Sequence, residues 1–159
     1  FDAISFLSGT APARMEYEAE AAMRFEAAAE GGPGRPYPVS IAKPQPGGPV
    51  EISFAPLIKA VVADIGNGVP PSRVSARFHG TLARLVLRIA ERARAEHGAD
   101  TVVLAGGVFL NRRLLEETER LLAAKTFRVV RPVLYSPNDE SLSLGQIAWG
   151  LARFKREEA

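Results

Sequence analysis

The chain contains no cysteine, which excludes disulfide bonds, cysteine-ligated zinc and a cysteine nucleophile. It also contains no run of the roughly 18 apolar residues that a membrane span needs, and it does not open with an apolar secretion signal. The net charge of +2 gives no charge-based argument for nucleic-acid binding. From these absences we expect a cytoplasmic protein that binds neither a membrane nor a nucleic acid.

The composition is typical of an ordinary globular domain. With 159 residues and 47% hydrophobic side chains, the chain can form one domain with a proper core. It begins at Phe1 and not at methionine, and residues 1–7 already have the apolar pattern of a helix. We therefore expect residues 1–159 to be a single partial domain of a longer protein, with a Pro/Gly-rich, hairpin-like insertion at residues 31–54.

Apolar periodicity divides the chain into helices and short strands. Helices are predicted at residues 2–7, 13–30, 55–67, 70–97, 112–124 and 143–155, and strands at residues 36–41, 50–54, 101–105 and 127–133. A Pro/Gly loop at residues 43–49 should join the first two strands in a hairpin. Ser143 and Gln146 have the spacing of a capping box, and the helix after them should bury Leu144, Ile147, Ala148, Leu151 and Phe154.

The most informative segment is Thr101-Val-Val-Leu-Ala-Gly-Gly-Val-Phe-Leu-Asn111. A buried strand runs into the pair Gly106–Gly107, and a helix follows almost at once. Glycine allows the backbone to approach a phosphate closely, and a helix start presents unpaired N–H groups. The same pattern also occurs as a plain tight turn, and it matches neither G-x-G-x-x-G nor G-x-x-x-x-G-K-[ST].

A second loop is expected beside this one. The order strand, helix, strand, helix from Thr101 onward indicates parallel pairing with right-handed crossovers, so Gly106–Gly107 and Asn138–Asp139 should lie side by side where ligands bind. Asp139 is then either a turn or capping residue or a cation ligand, and Asn111 is either a helix N-cap or a nucleotide contact. His79 is either a half-buried histidine with satisfied hydrogen bonds or a residue that reaches a ligand.

Five segments of the chain form a distinctive series. They are Phe1-Asp-Ala3, Tyr17-Glu-Ala-Glu-Ala-Ala22, Ala76-Arg-Phe-His79, Gly106-Gly-Val-Phe-Leu-Asn111, and Asn138-Asp139 followed by Ser143-Leu-Gly-Gln146. In their order and spacing they resemble the hydrogenase maturation carbamoyltransferases of the HypF family. The resemblance implies an α/β fold with a mostly parallel sheet flanked by helices. This would be the second lobe of an actin-like (sugar-kinase-like, ribonuclease H-like) ATPase fold and the C-terminal half of a Kae1-like domain.

The resemblance also implies a function. In that family a carbamoyl group passes from carbamoyl-adenylate to the C-terminal cysteine of the protein HypE and becomes a cyanide ligand of a nickel–iron centre. The implied cofactors are ATP or carbamoyl-adenylate and a divalent metal (Fe, Zn or Mg). The implied partners are a HypE-like acceptor, the upstream half of the same domain, and the YrdC-like domain.

The implied site can be placed residue by residue. The nucleotide-binding positions are Asp2, Glu18, Glu20, His79, Gly106, Gly107 and Asn111, with the two glycines at the phosphate, and Asp139 matches the carboxylate that holds the metal. This chain departs from the family pattern at Ala19, Glu140 and Ser141, where the family has glycine. The two histidines that complete the family's metal site belong to an upstream half, so we expect this chain alone to be inactive.

Two other functions stay open at this stage. One is a relative that transfers carbamoyl to a different acceptor, either a hydroxyl group of a small molecule or the adenosine of a tRNA. The other is a non-catalytic nucleotide-binding or docking half-domain that meets a partner through the arginine face of the longest helix, at Arg77, Arg84, Arg88 and Arg92. The catalytic residues remain unknown from the sequence.

Overall fold

The structure is a computed structural model, and it describes residues 1–42 and 49–157. The first half of the chain contains α1 (Asp2–Leu7), α2 (Glu20–Ala27), β1 (Ser40–Ile41), β2 (Ile52–Ser53), α3 (Ala55–Gly66) and α4 (Pro71–His97). The second half contains β3 (Thr101–Val103), α5 (Arg112–Ala124), β4 (Arg128–Val130) and α6 (Leu142–Glu157). Two 3₁₀ turns, Gly107–Leu110 and Asp139–Ser141, precede α5 and α6. All but the last residue of the predicted Pro/Gly loop lies outside the described residues.

The strands form two small sheets in the described part of the chain. β1 and β2 pair antiparallel, with Ile41 opposite Ile52, which confirms that the two runs pair with each other. β3 and β4 pair parallel, with Val102 opposite Val129, and α5 connects them. The predicted parallel pairing and the α/β fold class are confirmed. All four strands are shorter than their sequence patterns predict.

Two apolar clusters form the core, and α4 contributes to both. The first cluster consists of Ile4, Phe25, Tyr37, Leu57, Val61, Val74 and Phe78, and the second of Ala90, Leu104, Leu122 and Phe127. Pro71 starts α4 at a position where a missing N–H has no cost, and Gly98 ends the helix in a left-handed conformation with φ +69°. The long helix therefore positions the first half of the chain against the β3–α5–β4 unit.

The predicted helix over residues 13–30 is wrong in its first half, because α2 begins only at Glu20. Ala19 has φ +61°, a left-handed conformation that an α-helix cannot continue through. The Glu20 carboxylate accepts a hydrogen bond from the Glu16 N–H at 2.7 Å, a bond that an uninterrupted helix would give to a backbone carbonyl. As a result, Met15 and Met23 are exposed, whereas the acidic Glu20 is buried.

The predicted start and buried face of the last helix are also wrong. Ser143 lies inside α6 and is not its N-cap, because the 3₁₀ turn Asp139–Ser141 leads directly into the helix. The Asn138 side chain caps that turn instead, by accepting from the Glu140 N–H at 3.2 Å. The residues expected to be buried are all exposed: Leu144, Ile147, Ala148, Leu151 and Phe154. An amphipathic pattern identifies the apolar face of a helix, but it does not show whether another element covers that face.

The arginine face of α4 is only partly solvated. Arg77 stacks on the Tyr37 ring at 4.1 Å from its centroid, forms an ion pair with Asp64, and donates from Nε to the Arg35 carbonyl at 3.0 Å. Arg88, further along the same face, is exposed. Within the described ranges, no helix is long and apolar enough to cross a membrane.

Candidate functional site

The two loops singled out in the sequence meet at the carboxyl ends of β3 and β4. The Gly106 N–H donates to the Pro137 carbonyl at 2.7 Å. A Cβ atom built on Gly107 would lie 3.7 Å from the Asn138 Cβ, which is van der Waals contact. The prediction that these loops lie side by side is therefore confirmed, and it follows from the parallel pairing of the two strands.

The glycine pair has two different roles in this geometry. Gly106 has φ +99° and ψ 156°, a conformation that L-residues rarely adopt, so glycine is required there by the backbone. Its N–H group is already bonded to Pro137 and is not available to a phosphate. Gly107 begins the 3₁₀ turn Gly107–Leu110 and is exposed, so a ligand can approach its backbone closely.

An open cavity of about 750 Å³ lies beside this contact, on the side of the Asn138–Asp139 loop. Its lining combines both loops with the exposed side of α6: Gly106, Ser136, Asn138, Asp139, Gln146 and Trp149 are among the residues that form it. Ser141 contributes to its shape by donating its hydroxyl to the Ser136 carbonyl at 2.7 Å. The predicted metal residue Asp139 is thus placed at a cavity wall, at the first position of a 3₁₀ turn.

The described residues do not by themselves fit a metal ion. Across residues 1–42 and 49–157 there is no group of three or more His, Cys, Asp or Glu side chains that could hold one. The Glu140 carboxylate is next to Asp139 in sequence, but two adjacent acids are fewer ligands than a stable site uses. Any metal at Asp139 needs ligands from elsewhere, and Asp139 remains a predicted ligand.

A second cavity of about 330 Å³ lies on the other side of the glycine pair. Gly107 and Asn111, both predicted nucleotide contacts, line it together with residues of α2: Ala22, Met23 and Glu26. Ala19, where the resemblance leads us to expect glycine, also lines it, so the alanine methyl group occupies the wall of this cavity. The cavity has a mostly apolar wall beside an exposed glycine turn, which suits a flat organic group next to a phosphate.

The three acidic residues among the predicted nucleotide-binding positions occupy different environments. Asp2 is exposed in the first turn of α1, and Glu18 is exposed in the irregular segment before α2. Glu20 is buried, and Arg24 donates to its carboxylate from Nε at 2.7 Å. The hydrogen bond from the Glu16 N–H, together with Arg24, lowers the pKa of Glu20. None of these three residues lines either cavity, and their contact with a nucleotide stays a prediction.

His79 is fully buried, with 1% of its surface exposed, and both ring nitrogens have partners. Nδ1 lies 2.8 Å from the Ser75 carbonyl, and Nε2 lies 2.9 Å from the Asn111 side-chain nitrogen. Burial lowers the pKa of His79 to about 4; the nearby charge of Arg113 acts in the same direction, and the Ser75 carbonyl opposes it. The interpretation of His79 as a histidine with satisfied hydrogen bonds is confirmed, but the ring is fully buried and not half-buried as expected. Whether it also contacts a nucleotide stays a prediction.

The start of α5 is held by two side chains, one of which the sequence did not indicate. Asn111 accepts from the Leu114 N–H at 2.8 Å, which confirms it as the N-cap. Glu26 accepts from the Arg113 N–H at 3.0 Å, so its carboxylate lies at the positive end of the helix dipole. Glu26 and Arg113 are separated by 87 positions in sequence, and no local pattern connects them.

Residues 1–146 match the model of a family described as carbamoyltransferase, Kae1-like domain, second subdomain. The fold and the loop pair therefore define the class as a subdomain of a Kae1-like carbamoyltransferase domain. A relative with a different name is also similar: tRNA N6-adenosine threonylcarbamoyltransferase of Parasynechococcus marenigrum is 30% identical over 74% of this chain and 36% of its own length.

Within that class, the similarity to HypF proteins extends over almost the whole chain. Carbamoyltransferase HypF of Rhodobacter capsulatus is 34% identical over 98% of this chain, and carbamoyltransferase HypF2 of Cupriavidus necator is 32% identical over 96%. A crystal structure of full-length HypF in the phosphate- and nucleotide-bound form superposes with a TM-score of 0.86 at 31% identity, over 92% of this chain and 19% of that one. The chain belongs to the carbamoyltransferase HypF family. It spans about a fifth of the length of these relatives, 19% and 21%.

Proposed function

We propose that this chain forms one wall of a carbamoyl-transfer site, in which carbamoyl moves from carbamoyl-adenylate to the C-terminal cysteine thiol of a HypE-like acceptor. The observation that carries the proposal is the contact between the Gly106–Gly107 loop and the Asn138–Asp139 loop, with a cavity on each side. Membership of the HypF family supports the choice of reaction.

In the proposed reaction the acceptor sulfur attacks the carbonyl carbon of carbamoyl-adenylate. A C–S bond forms, the C–O bond to the phosphate breaks, AMP leaves with the bonding electrons, and the thiol proton passes to solvent. The product is a thiocarboxamide. The partner supplies the nucleophile, which is consistent with the absence of cysteine from this chain.

This chain's own residues would bind and orient the adenylate. Gly107 leaves room for the phosphate beside the backbone, and the apolar second cavity offers a place for the rest of the nucleotide. Asp139 would ligate a divalent metal together with residues of the upstream half of the domain. The described residues do not complete that site by themselves.

The exposed apolar side of the fold is the proposed contact with that upstream half. The strands β3 and β4 leave Val103 and Val130 exposed, at 64% and 38% of their surface. α6 exposes Ile147, Trp149 and Leu151 in the same half of the chain. Exposed apolar side chains in this number are typical of a chain that meets another protein segment. We propose that the first subdomain covers it and brings the missing metal ligands to Asp139.

The deciding experiment compares two variants in a protein that carries both Kae1-like subdomains and the YrdC-like domain. With ATP and carbamoyl phosphate, mass spectrometry measures carbamoylation of a peptide that ends in the HypE C-terminal cysteine. Asp139→Ala should abolish transfer, whereas Asp100→Ala, an exposed aspartate before β3 at the opposite end of the strands, should leave it unchanged. Carbamoyl-adenylate formation should persist in both variants.

Three results would contradict the proposal. Transfer that survives Asp139→Ala at the parental rate would reduce Asp139 to a turn residue. Transfer to tRNA or to a small hydroxyl compound, but not to the cysteine peptide, would favour a relative with another acceptor. Transfer by this chain alone would show that the upstream half is not needed for the site.

A further inference from the structure

The hydrogen bonds around His79 define which of its nitrogens carries the proton. The Ser75 carbonyl can only accept, so Nδ1, 2.8 Å away, must be the donor. Nε2 then carries no proton and can only accept a hydrogen bond. It lies 2.9 Å from the Asn111 side-chain nitrogen, which can only donate. The buried ring is therefore the neutral Nδ1–H tautomer, and it presents a lone pair to the glycine loop.

The same geometry leaves Asn111 only one orientation of its amide. Its oxygen accepts from the Leu114 N–H at 2.8 Å and caps α5, while its NH₂ group donates to His79. Rotating the amide by half a turn would place its oxygen against the Nε2 lone pair and its NH₂ against the Leu114 N–H. Both bonds would be lost together, so His79 and the helix start select the same orientation.

This link reaches the candidate site from deep in the core. Ser75 and His79 lie on α4, and the Ser75 hydroxyl donates to the Phe25 carbonyl of α2. Asn111 ends the 3₁₀ turn that starts at Gly107, and both residues line the second cavity. The buried His79 ring is therefore hydrogen-bonded to Asn111, a residue that lines the cavity.

We propose that His79 is a positioning residue, which acts through Asn111 to fix the glycine turn at the nucleotide cavity. In this proposal His79 does not touch the nucleotide. The affinity test below rests on the proposed function, whereas the tautomer test does not.

The first test uses nitrogen NMR of the histidine rings in the 159-residue chain. In the wild type, the His79 ring should show a protonated Nδ1 and an unprotonated Nε2 at neutral pH. Asn111→Asp keeps a good N-cap but places a carboxylate beside Nε2, which should hold a second proton on the ring. At about pH 5.5 His79 should be mostly protonated in Asn111→Asp and mostly neutral in the wild type. An Nε2–H tautomer in the wild type, or no difference between the two proteins, would overturn the proposal.

The second test measures the dissociation constant of AMP in a protein with both Kae1-like subdomains. His79→Leu fills the space without an acceptor and should weaken AMP binding about tenfold, the loss expected for one hydrogen bond. His79→Gln restores an acceptor oxygen and should recover most of the affinity. Val61→Ala, a fully buried core change in α3, is the control for general destabilisation and should leave AMP binding unchanged.

The outcomes separate this proposal from the proposed function. Unchanged AMP affinity in His79→Leu, or equal losses in His79→Leu and Val61→Ala, would reduce His79 to an ordinary core residue. If AMP binds neither the parent nor any variant, the proposed function fails, and the ring tautomer and the Asn111→Asp titration still decide whether His79 orients Asn111.

Discussion

Lowering the pH from 7 to 5 is expected to destabilise this protein through His79. Burial holds the pKa of the native imidazole at about 4, compared with its ordinary value of 6.5. Below pH 6.5 the His79 imidazole becomes protonated in the unfolded chain but stays neutral in the native state. The free energy of unfolding therefore falls as the pH falls. The loss begins near pH 6.5 and is complete near pH 4, the lowered value.

The magnitude follows from the two pKa values. At about 1.36 kcal/mol for each pH unit, the difference between 6.5 and about 4 corresponds to roughly 3 kcal/mol in total. About 2 kcal/mol of this should be lost already at pH 5, before carboxylates with ordinary pKa values titrate. That loss is a large part of the stability of a typical domain.

Urea-induced unfolding of the 159-residue chain, followed by far-ultraviolet circular dichroism at pH 7 and pH 5, measures this loss. His79→Gln removes the titrating group, so its free energy of unfolding should change little between the two pH values. The chain has only two histidines, and the exposed His97 serves as the control: His97→Gln should keep the full pH dependence. Equal pH dependence in the wild type and in His79→Gln would refute the reasoning.

Two predictions concern the backbone. Ala19→Gly should stabilise the protein by about 0.5–1 kcal/mol in urea unfolding, because it removes a left-handed alanine, whereas Ala22→Gly inside α2 should destabilise it by about 0.5–1 kcal/mol. A loss of stability in Ala19→Gly would contradict the strained conformation. Gly80→Ala should cost about 1–3 kcal/mol, since the new Cβ would lie 2.2 Å from the Pro33 Cβ. The matched Gly66→Ala, with nothing within 4 Å, should be neutral or stabilising by up to about 1 kcal/mol, and equal thermal midpoints for the two would argue against the clash.

The sequence was most informative where local patterns and chain chirality determine the structure. The amphipathic period and the cap of α5 placed that helix at Arg112–Ala124, as the structure has it. A strand, a helix and another strand in succession favour a parallel crossover, which places the glycine loop and the acidic loop at the same edge of the sheet, as the structure shows. The central geometry of the candidate site was therefore predictable without coordinates.

The tertiary structure decided the features that depend on distant partners. Ala19 interrupts a helical pattern because the backbone turns there and buries Glu20, which periodicity cannot indicate. His79 meets Asn111 across 32 positions, and Glu26 reaches Arg113 across 87, so their roles come from packing and not from local sequence. The apolar face of α6 has the pattern of a buried helix, yet it is exposed here. Hydrophobic periodicity indicates which face of a helix could be buried. Whether that face is buried depends on the elements that pack against it in the folded protein.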